Sequence, residues 1–246
     1  MDYKDLQAGQ SQNHFWFKAK NHLIGVLMKK ACKKRKNLKI LSIGAGTGDD
    51  LEVLKTFGQN YVTDIEPEAL SVISDDLCVE KKVSDACNLP YGYGYFDVVV
   101  AFDVLEHIYN HKEAVDEILR VLNNDGVFVF TVPAFQCLFS SHDKALNHYR
   151  RYSKKNVRHL LSQFKLKLTF WNSVLFLPIA IVRILKKKSE ARVDEGKLPG
   201  FINSLFYLLL KFDNFLISKS IYVPVGLSIA GWGFKKTITE QKPSEH

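Results

Sequence analysis

The chain has 246 residues, 46% of them hydrophobic, with a formal net charge of +8 and four cysteines. This length fits one domain, or one domain with an insertion, and the composition allows a sizeable core without low-complexity tracts. The cysteines have no C-x-x-C spacing, which argues against a zinc site or a disulfide framework and for reduced thiols in a cytoplasmic protein.

Short apolar runs alternate with helical patterns along the first half of the chain. Four of these runs are predicted strands: residues 38–43, 61–65, 96–102 and 127–132. A further strand is expected just before Asp85. Residues 111–122 have the apolar spacing of a helix, and residues 123–126 would end it. This alternation predicts a doubly wound α/β sheet.

The C-terminal third has a different pattern. Residues 165–171 and 226–235 are predicted strands, and two apolar stretches, residues 174–185 and 201–217, lie between them. A polar segment, residues 186–200, separates the two stretches. Neither stretch has the roughly twenty uninterrupted apolar residues of a membrane span. We therefore expect two amphipathic helices that either pack on the sheet or lie at a membrane interface.

A glycine-rich loop follows the first strand in the sequence ILSIGAGTGDDL, residues 40–51. Gly44, Gly46 and Gly48 allow a tight turn and close approach of backbone N–H groups to a ligand. Asp64 follows the second strand and could accept hydrogen bonds from a ribose diol. Asp85 follows the third strand and could accept one from an adenine amine.

The fourth strand ends in the sequence FDVLEHI, which places Asp103, Glu106 and His107 just beyond it. Because ligands bind outside the carboxyl ends of strands in open α/β sheets, all these loops point to one crevice. Glu106 and His107 could alternatively serve only to connect the loop with the sheet.

The segments ILSIGAGTG, VTDIEPEAL, VSDACNLPYGYGYFDVVVAFDVLEHI and ILRVLNNDGVFVFTVP follow one another between residues 38 and 133. In this order and spacing they resemble the class I S-adenosylmethionine-dependent methyltransferases of the small-molecule type. The resemblance implies a Rossmann-like, doubly wound α/β sheet of seven strands with the last strand antiparallel. The apolar stretches would then form a C-terminal helical insertion between the last two strands.

Four parts of the chain are expected on this basis. They are an N-terminal helical cover (residues 1–37), an S-adenosylmethionine-binding core (38–172), an apolar helical insertion that is a lid or faces a membrane (173–221), and the last strand with a tail (222–246). The sequence HFWFKAK in the first part also resembles a segment that precedes the glycine loop in these proteins, and it could cover the cofactor.

The resemblance implies S-adenosyl-L-methionine as cofactor and S-adenosyl-L-homocysteine as product. The residues expected to bind it are Gly44, Ala45, Gly46, Gly48, Asp64, Ile65, Asp85, Ala86, Phe102 and Asp103. The glycines would wrap the methionine and ribose, Asp64 would hold the ribose hydroxyls, and Asp85 would meet the adenine. One departure is Ser42, where family members often carry an acidic residue that contacts the cofactor's amino group. Another is Asn124-Asp125-Gly126, which replaces the usual Pro-Gly-Gly.

The acceptor-facing segment is expected at residues 140–161, directly after the fifth strand. His142 and His148 are candidate general bases for an O- or N-methylation, because histidine titrates near neutral pH. His107, Tyr149, Arg150, Arg151 and Tyr152 are candidate substrate-binding residues, and paired arginines suit a carboxylate or phosphate. The same arginines could alternatively form only a solvated basic face. No metal ion is expected.

Two basic clusters, residues 29–39 and 144–189, favour an anionic partner. Together with the apolar stretches they suggest a small-molecule, saccharide or lipid-linked acceptor and a cytoplasmic protein that attaches to anionic membrane surfaces. The first fourteen residues are polar, so no secretory signal is expected.

Three other functions remain open at this stage. A non-enzymatic cofactor-binding or scaffold protein would carry the same pocket residues. A nucleic-acid methyltransferase would fit the charge but usually has Asn/Asp-Pro-Pro-aromatic where this chain has FDVLEH. A nicotinamide-dependent oxidoreductase would share the glycine loop and Asp64 only.

Overall fold

The protein is described here by a computed structural model that covers residues 14–185 and 198–236. Within these residues one sheet has seven strands: β1 (Leu38–Ile43), β2 (Gly58–Asp64), β3 (Glu80–Val83), β4 (Phe96–Phe102), β5 (Leu122–Pro133), β6 (Phe164–Trp171) and β7 (Ser228–Lys235). Their spatial order is β3-β2-β1-β4-β5-β7-β6. The first five strands pair in parallel, and β7 lies antiparallel between β5 and β6. The predicted fold class is confirmed.

The central strands are buried on both faces, which explains why their sequences do not alternate. Ile40 and Leu41 of β1, and Val98, Val99 and Val100 of β4, are all fully buried. Parallel strands covered by helices on both faces have this continuous apolar pattern.

The chain reverses the direction in which it adds strands between β1 and β4. From β1 it continues outward to β2 and β3, then returns to the other side of β1 as β4. The connections that leave β1 and β4 therefore diverge, and a crevice opens at the carboxyl ends of these two strands.

Eight α-helices cover this sheet in the described residues: α1 (Phe15–Cys32), α2 (Leu51–Lys55), α3 (Pro67–Ser71), α4 (His111–Val121), α5 (Ser141–Ala145), α6 (Lys154–Leu160), α7 (Phe176–Leu185) and α8 (Gly200–Ser218). Helices α7 and α8 lie between β6 and β7 in sequence, as predicted for the insertion. Most of the polar segment predicted between them, and the predicted tail, lie outside the described residues.

Several predicted boundaries were wrong by a few residues. The helix expected at residues 111–122 ends at Val121, because Leu122 already pairs with Phe96 of β4. Residues 123–126 therefore lie inside β5 and do not form a separate turn. The β4–β5 register shifts between Phe96 and Val98, so the extra residues form an irregular, bulge-like start to the strand. Ile65 lies just beyond β2 and is not part of it.

Helix α1 lies between the sheet and α8. Its side chains at Leu23, Leu27 and Ala31 are buried with helical spacing. The amide of Asn214 on α8 donates to the backbone carbonyl of Ala19 at 2.8 Å, which fixes the two helices against each other.

Helix α8 is longer than the predicted apolar stretch. It has 19 residues and meets the length and composition of a membrane-spanning helix, although only 22% of it is buried. Its buried residues, Leu210, Asp213, Asn214 and Ile217, form one face that packs on the rest of the protein. Core residues come from all four predicted parts of the chain, including Leu23, Ile40, Leu210 and Ile229.

Replacing Asp213 with Ala should lower the free energy of unfolding by about 2–3 kcal/mol. The fully buried Asp213 carboxylate accepts hydrogen bonds of 2.6 Å from the Ser173 N–H and from its hydroxyl. The substitution would leave both donors without this acceptor and loosen α8 from the end of β6. Urea unfolding measures the change. The exposed Asp116→Ala is the control, and equal stability of the two variants would contradict the prediction.

Candidate functional site

The glycine loop between β1 and α2 has the left-handed backbone that only glycine adopts without strain. The φ angles of Gly44, Gly46 and Gly48 are 62°, 53° and 78°. A Cβ at Gly44 would lie 2.8 Å from the Val104 side chain, whereas one at Gly46 would have no atom within 4 Å. Gly44 thus allows the loop to approach the β4 terminus, and Gly46 borders open space.

Asp64 at the end of β2 is held in place by two backbone donors. Its Oδ2 accepts from the Gly46 N–H at 2.8 Å, and its Oδ1 accepts from the Glu66 N–H at 3.0 Å. Since each carboxylate oxygen has a second lone pair, the group can still accept hydrogen bonds from a ligand. The carboxylate is therefore oriented before any ligand binds.

One cavity of about 590 Å³ opens at the crevice between β1 and β4. This volume is in the usual range for a small-molecule site. Its lining includes nine of the ten predicted cofactor residues: Gly44, Ala45, Gly46, Asp64, Ile65, Asp85, Ala86, Phe102 and Asp103. Gly48 does not line the cavity. It faces the protein instead, where an added Cβ would lie 2.8 Å from the Leu51 side chain.

The end of the cavity near β3 combines apolar and acidic groups. Ile65 lines it with 64% of its surface exposed, and the nearby Ala86 is buried. The Asp85 carboxylate accepts from the Cys87 N–H at 2.8 Å and is solvent-exposed. An apolar surface beside an oriented carboxylate suits a flat heterocycle with an exocyclic amine.

Helix α1 forms part of the cavity wall through Trp16, Phe17 and Lys20. The Lys20 ammonium pairs with the carboxylate of Asp103, which also accepts from the Thr131 hydroxyl at 2.8 Å. Burial alone would raise the pKa of Asp103, but attraction to Lys20 and these hydrogen bonds outweigh it and hold the pKa below its usual range. Asp103 is therefore ionised and paired at the cavity wall.

Asp50 lines the same wall and has the opposite shift. Burial raises its pKa to about 6, the nearby Asp49 adds to this, and Lys20 only partly opposes it. Asp50 occupies the position before α2, but its side chain makes no capping hydrogen bond.

The end of the cavity near β4 leads to a cluster of Glu106, His107 and His148, which we call the Glu–His–His cluster. His107 lines the cavity, and its ring centroid lies 4.5 Å from that of His148. Glu106 is fully buried. Burial, reinforced by the negative charge of Asp103, raises the pKa of Glu106 well above its usual range.

The buried carboxylate of Asp143 fixes His148 in place. Asp143 Oδ1 lies 3.0 Å from His148 Nδ1 and accepts from Arg151 Nε at 2.8 Å. Arg183 approaches the other oxygen at 3.2 Å, and the Ser140 N–H donates to it at 2.9 Å. Burial would raise the pKa of Asp143, but the hydrogen bond to His148 and the two arginines hold it below its usual range.

The remaining predicted acceptor residues differ in where the fold places them. Tyr149 lines the cavity and contacts Tyr109 edge-to-face at 5.4 Å between ring centroids. Arg150 donates to the backbone carbonyls of Ile108 and Tyr109.

Five of the seven predicted acceptor-side residues are not part of the cavity lining in the described chain: His142, His148, Arg150, Arg151 and Tyr152. Arg151 is buried against Asp143, and the buried Tyr152 donates to the carbonyl of Leu105 at 3.0 Å. His142 on α5 also lies outside the lining. The structure thus brings His107, His148 and Tyr149 towards one another, while the roles predicted for the other residues stay predictions.

Sequence reasoning missed Lys20 and Asp50 as parts of this site. Asp143 lies in the predicted acceptor-facing segment, but its contact with His148 was not predicted. Ser140 and Asp143, three residues apart, form a capping box at the start of α5. Such a pattern can indicate where a helix begins, but it does not indicate that the Asp143 carboxylate is buried. The motif HFWFKAK indicated a covering helix, yet nothing local showed that Lys20 would meet Asp103.

The comparisons with known proteins agree with this geometry. Residues 41–130 match a family model described as a methyltransferase domain. The chain is 29% identical over 156 residues to an uncharacterized protein of Methanocaldococcus jannaschii, covering 63% of this chain and 66% of that protein. It is 24% identical over 165 residues to a probable S-adenosylmethionine-dependent methyltransferase of Mycolicibacterium smegmatis, covering 62% and 60%. The chain thus spans less than two thirds of the length of these relatives.

The fold is also similar to that of solved structures. A SAM-dependent methyltransferase from Archaeoglobus fulgidus superposes with a TM-score of 0.55 at 17% identity, over 87% of this chain and 94% of that one. Residues 41–130 thus match a methyltransferase domain, and with the strand order and the crevice described above the chain has the fold of the class I S-adenosylmethionine-dependent methyltransferases. The Archaeoglobus fulgidus protein is described as dependent on S-adenosylmethionine.

The residues of the cavity fit this cofactor. The open space at Gly46 provides room beside the loop. The oriented Asp64 suits two ribose hydroxyls, and Ile65 with Ala86 and Asp85 suits an adenine ring and its amine.

Replacing Asp50 with Asn should stabilise the protein near neutral pH but not at acidic pH. The folded-state pKa of about 6 lies above the ordinary 3.8, so the stability of the native protein falls as pH rises from about 4 through 6. Asn removes this loss, which we expect to be about 1–2 kcal/mol because Asp50 is partly exposed. Urea unfolding between pH 4.5 and 8 measures it, with the exposed Glu52→Gln as control. A difference that did not grow with pH would contradict the prediction.

Proposed function

We propose that this protein transfers a methyl group from S-adenosylmethionine to an oxygen or nitrogen of a small acceptor or of one linked to a lipid or saccharide. The observation that carries the proposal is the continuity of one cavity. Nine of the ten residues predicted to bind the cofactor and the acceptor-side residues His107 and Tyr149 line the same space. A donor and an acceptor bound there would be close neighbours.

When bound, the cofactor supplies a methyl group already activated by its sulfonium sulfur, so alignment and exclusion of water are the protein's main tasks. Trp16, Phe17 and Ile24 of α1 close one side of the cavity with apolar surface. The Lys20–Asp103 pair joins this helix to the end of β4 and so holds the wall in place.

The acceptor end of the cavity is polar and aromatic. His148 does not line the cavity, but its ring contacts that of His107, which does, at 4.5 Å between centroids, and this favours His148 over His142 as the histidine near the acceptor. The exposed pair Tyr109 and Tyr149 offers ring faces on which a sugar or another planar group could pack. These features support a hydroxyl- or amine-bearing acceptor.

The alternative functions lack comparable support. A scaffold protein would not require a polar, partly aromatic extension of the cofactor cavity. The arginines that a nucleic-acid methyltransferase would need are largely engaged within the protein, since Arg150 contacts carbonyls and Arg151 contacts Asp143.

Replacing Asp64 with Ala should weaken binding of S-adenosylmethionine and S-adenosylhomocysteine at least about tenfold, equivalent to about 1.4 kcal/mol. The variant loses the acceptor predicted for the ribose and also the support of the Gly46 N–H. Isothermal titration calorimetry measures both affinities. Glu68→Ala, an exposed change on α3, is the matched control and should bind like the native protein.

A native protein that is folded yet binds neither compound would overturn the proposed function. Binding by the native protein and by Asp64→Ala with equal affinity would instead contradict the role of Asp64. Methyl transfer to lipid and sugar acceptors can be screened once cofactor binding is established.

We further propose that the protein works in the cytoplasm at an anionic membrane surface. Helix α8 exposes a second apolar face opposite its buried one, with large side chains at helical spacing: Phe201, Leu205, Leu208, Phe212 and Phe215. Helix α7 adds exposed Leu177, Ile181 and Leu185. Since the buried face of α8 belongs to the core, this helix suits an interfacial position better than a transmembrane one. Nearby Lys211 and Lys219 complement anionic lipid.

The double variant Leu205→Asp/Phe212→Asp should have a vesicle partition coefficient at least about tenfold lower than that of the native protein, because two apolar anchors are replaced by negative charges. Flotation with vesicles of phosphatidylglycerol and phosphatidylcholine at low salt measures the partitioning. Tyr93→Asp, at an exposed position away from α8, is the control. Absence of native-protein binding would favour α7 and α8 as a lid packed on the sheet.

A further inference from the structure

Glu106 is a buried carboxylate whose two oxygens lack hydrogen-bond partners among the described residues. It is fully buried between β4 and the segment that follows β5, and the Tyr149 N–H donates to its backbone carbonyl only. Leaving both oxygens of a buried acid without partners is costly. A buried unsatisfied group in a native structure calls for an explanation, and a bound ion is one that provides partners for both oxygens.

His148 presents a second buried atom of this kind. Its Nδ1 lies 3.0 Å from the Asp143 carboxylate, which also pairs with Arg151 and Arg183, so we assign the proton to Nδ1 as the donor to this acceptor. In neutral His148 the lone pair is then on Nε2, which is buried and has no partner among the described residues. A carboxylate that orients a histidine in this way is the common outer partner of a metal-ligating imidazole.

His107 completes the set at the cavity. One oxygen of Glu106 and one ring nitrogen each of His107 and His148 lie within 4.8 Å of one another. Ligands of a tetrahedral zinc ion, at about 2.0–2.2 Å from the metal, lie about 3.4 Å apart. Side-chain rotations that move the three ligand atoms by about 1 Å would bring them from this separation to the spacing of a tetrahedral site.

We propose that Glu106, His107 and His148 bind one divalent transition-metal ion at the acceptor end of the cavity. This inference deepens the proposed function and rests on it for the role of the ion, although not for its binding. Two imidazoles and one carboxylate suit Zn²⁺, Mn²⁺ or Fe²⁺, whereas Mg²⁺ and Ca²⁺ prefer oxygen ligands. Three protein ligands leave at least one coordination position open, as in catalytic sites.

The open position would serve the acceptor. His107 lines the cavity, so an oxygen of the acceptor could approach the ion from that side. The ion would withdraw electron density from an acceptor hydroxyl and favour loss of its proton to water. The oxygen then forms a bond to the methyl carbon while the carbon–sulfur bond breaks and sulfur keeps the electron pair. In this account His148 acts as a metal ligand, which replaces its predicted role as general base.

The Lys20–Asp103 pair helps to define the ligand set. The carboxylate of Asp103 is occupied by Lys20 and Thr131. Asp143 is likewise occupied by His148, Arg151 and Arg183. Among the carboxylates of this region in the described residues, Glu106 is therefore the one whose oxygens have no hydrogen-bond partner and can bind an ion.

Metal binding can be measured on the full chain without cofactor or acceptor. After treatment with a chelator and its removal, the protein is titrated with Zn²⁺ alone by calorimetry and with Co²⁺ alone by visible absorption, which reports the coordination geometry. We expect one ion per chain and at least tenfold weaker binding in Glu106→Gln and His148→Gln. The exposed His159→Ala removes a histidine elsewhere and should change neither titration.

Glu106→Gln keeps the shape of the side chain, so unfolding is not the expected result, and circular dichroism of each variant checks this. No binding of Zn²⁺ or Co²⁺ by the folded native protein, or equal binding by Glu106→Gln, would overturn the proposal. Because these titrations contain no S-adenosylmethionine, their failure is distinct from a failure of the cofactor titration with Asp64→Ala.

Discussion

The reversal of strand order between β1 and β4 is the constraint on which the site depends. It separates the connections that leave these strands, and the glycine loop and Asp103 follow directly from their carboxyl ends. Gly44 allows the two connections to approach, because a side chain there would collide with Val104. The crevice is therefore a consequence of topology, and the residues at its edge give it chemical character.

Three buried carboxylates distinguish the acceptor end of this cavity. Asp103 pairs with Lys20 and Asp143 with two arginines, and these cations help to hold the pKa of both carboxyl groups below the usual range. Glu106 forms no ion pair among the described residues, and its two oxygens lack hydrogen-bond donors there. This contrast between satisfied and unsatisfied buried acids is the physical basis for a metal ion beside His107 and His148.

Helix α1 couples the cavity to the apolar surface of α8. One face of α1 packs in the core, and its Trp16 and Lys20 line the cavity. A backbone carbonyl of α1 accepts a hydrogen bond from the side-chain amide of Asn214 on α8. Helix α8 therefore packs against α1, the same helix that forms part of the cavity wall. If α8 binds a membrane as proposed, the helix at the membrane and the helix at the cavity wall, α1, are in direct contact.

The sequence by itself determined the sheet, the glycine loop and the carboxylates at strand ends, because these depend on local patterns: continuous apolar runs, φ-permissive glycines and acids directly after strands. It misplaced the start of β5, where pairing with β4 overrode the turn-forming residues 123–126. Only the tertiary structure decided that Lys20 meets Asp103 across 83 residues, and that His148 rather than His142 turns towards Glu106 and His107. Such encounters depend on how distant elements pack, and no local propensity encodes them.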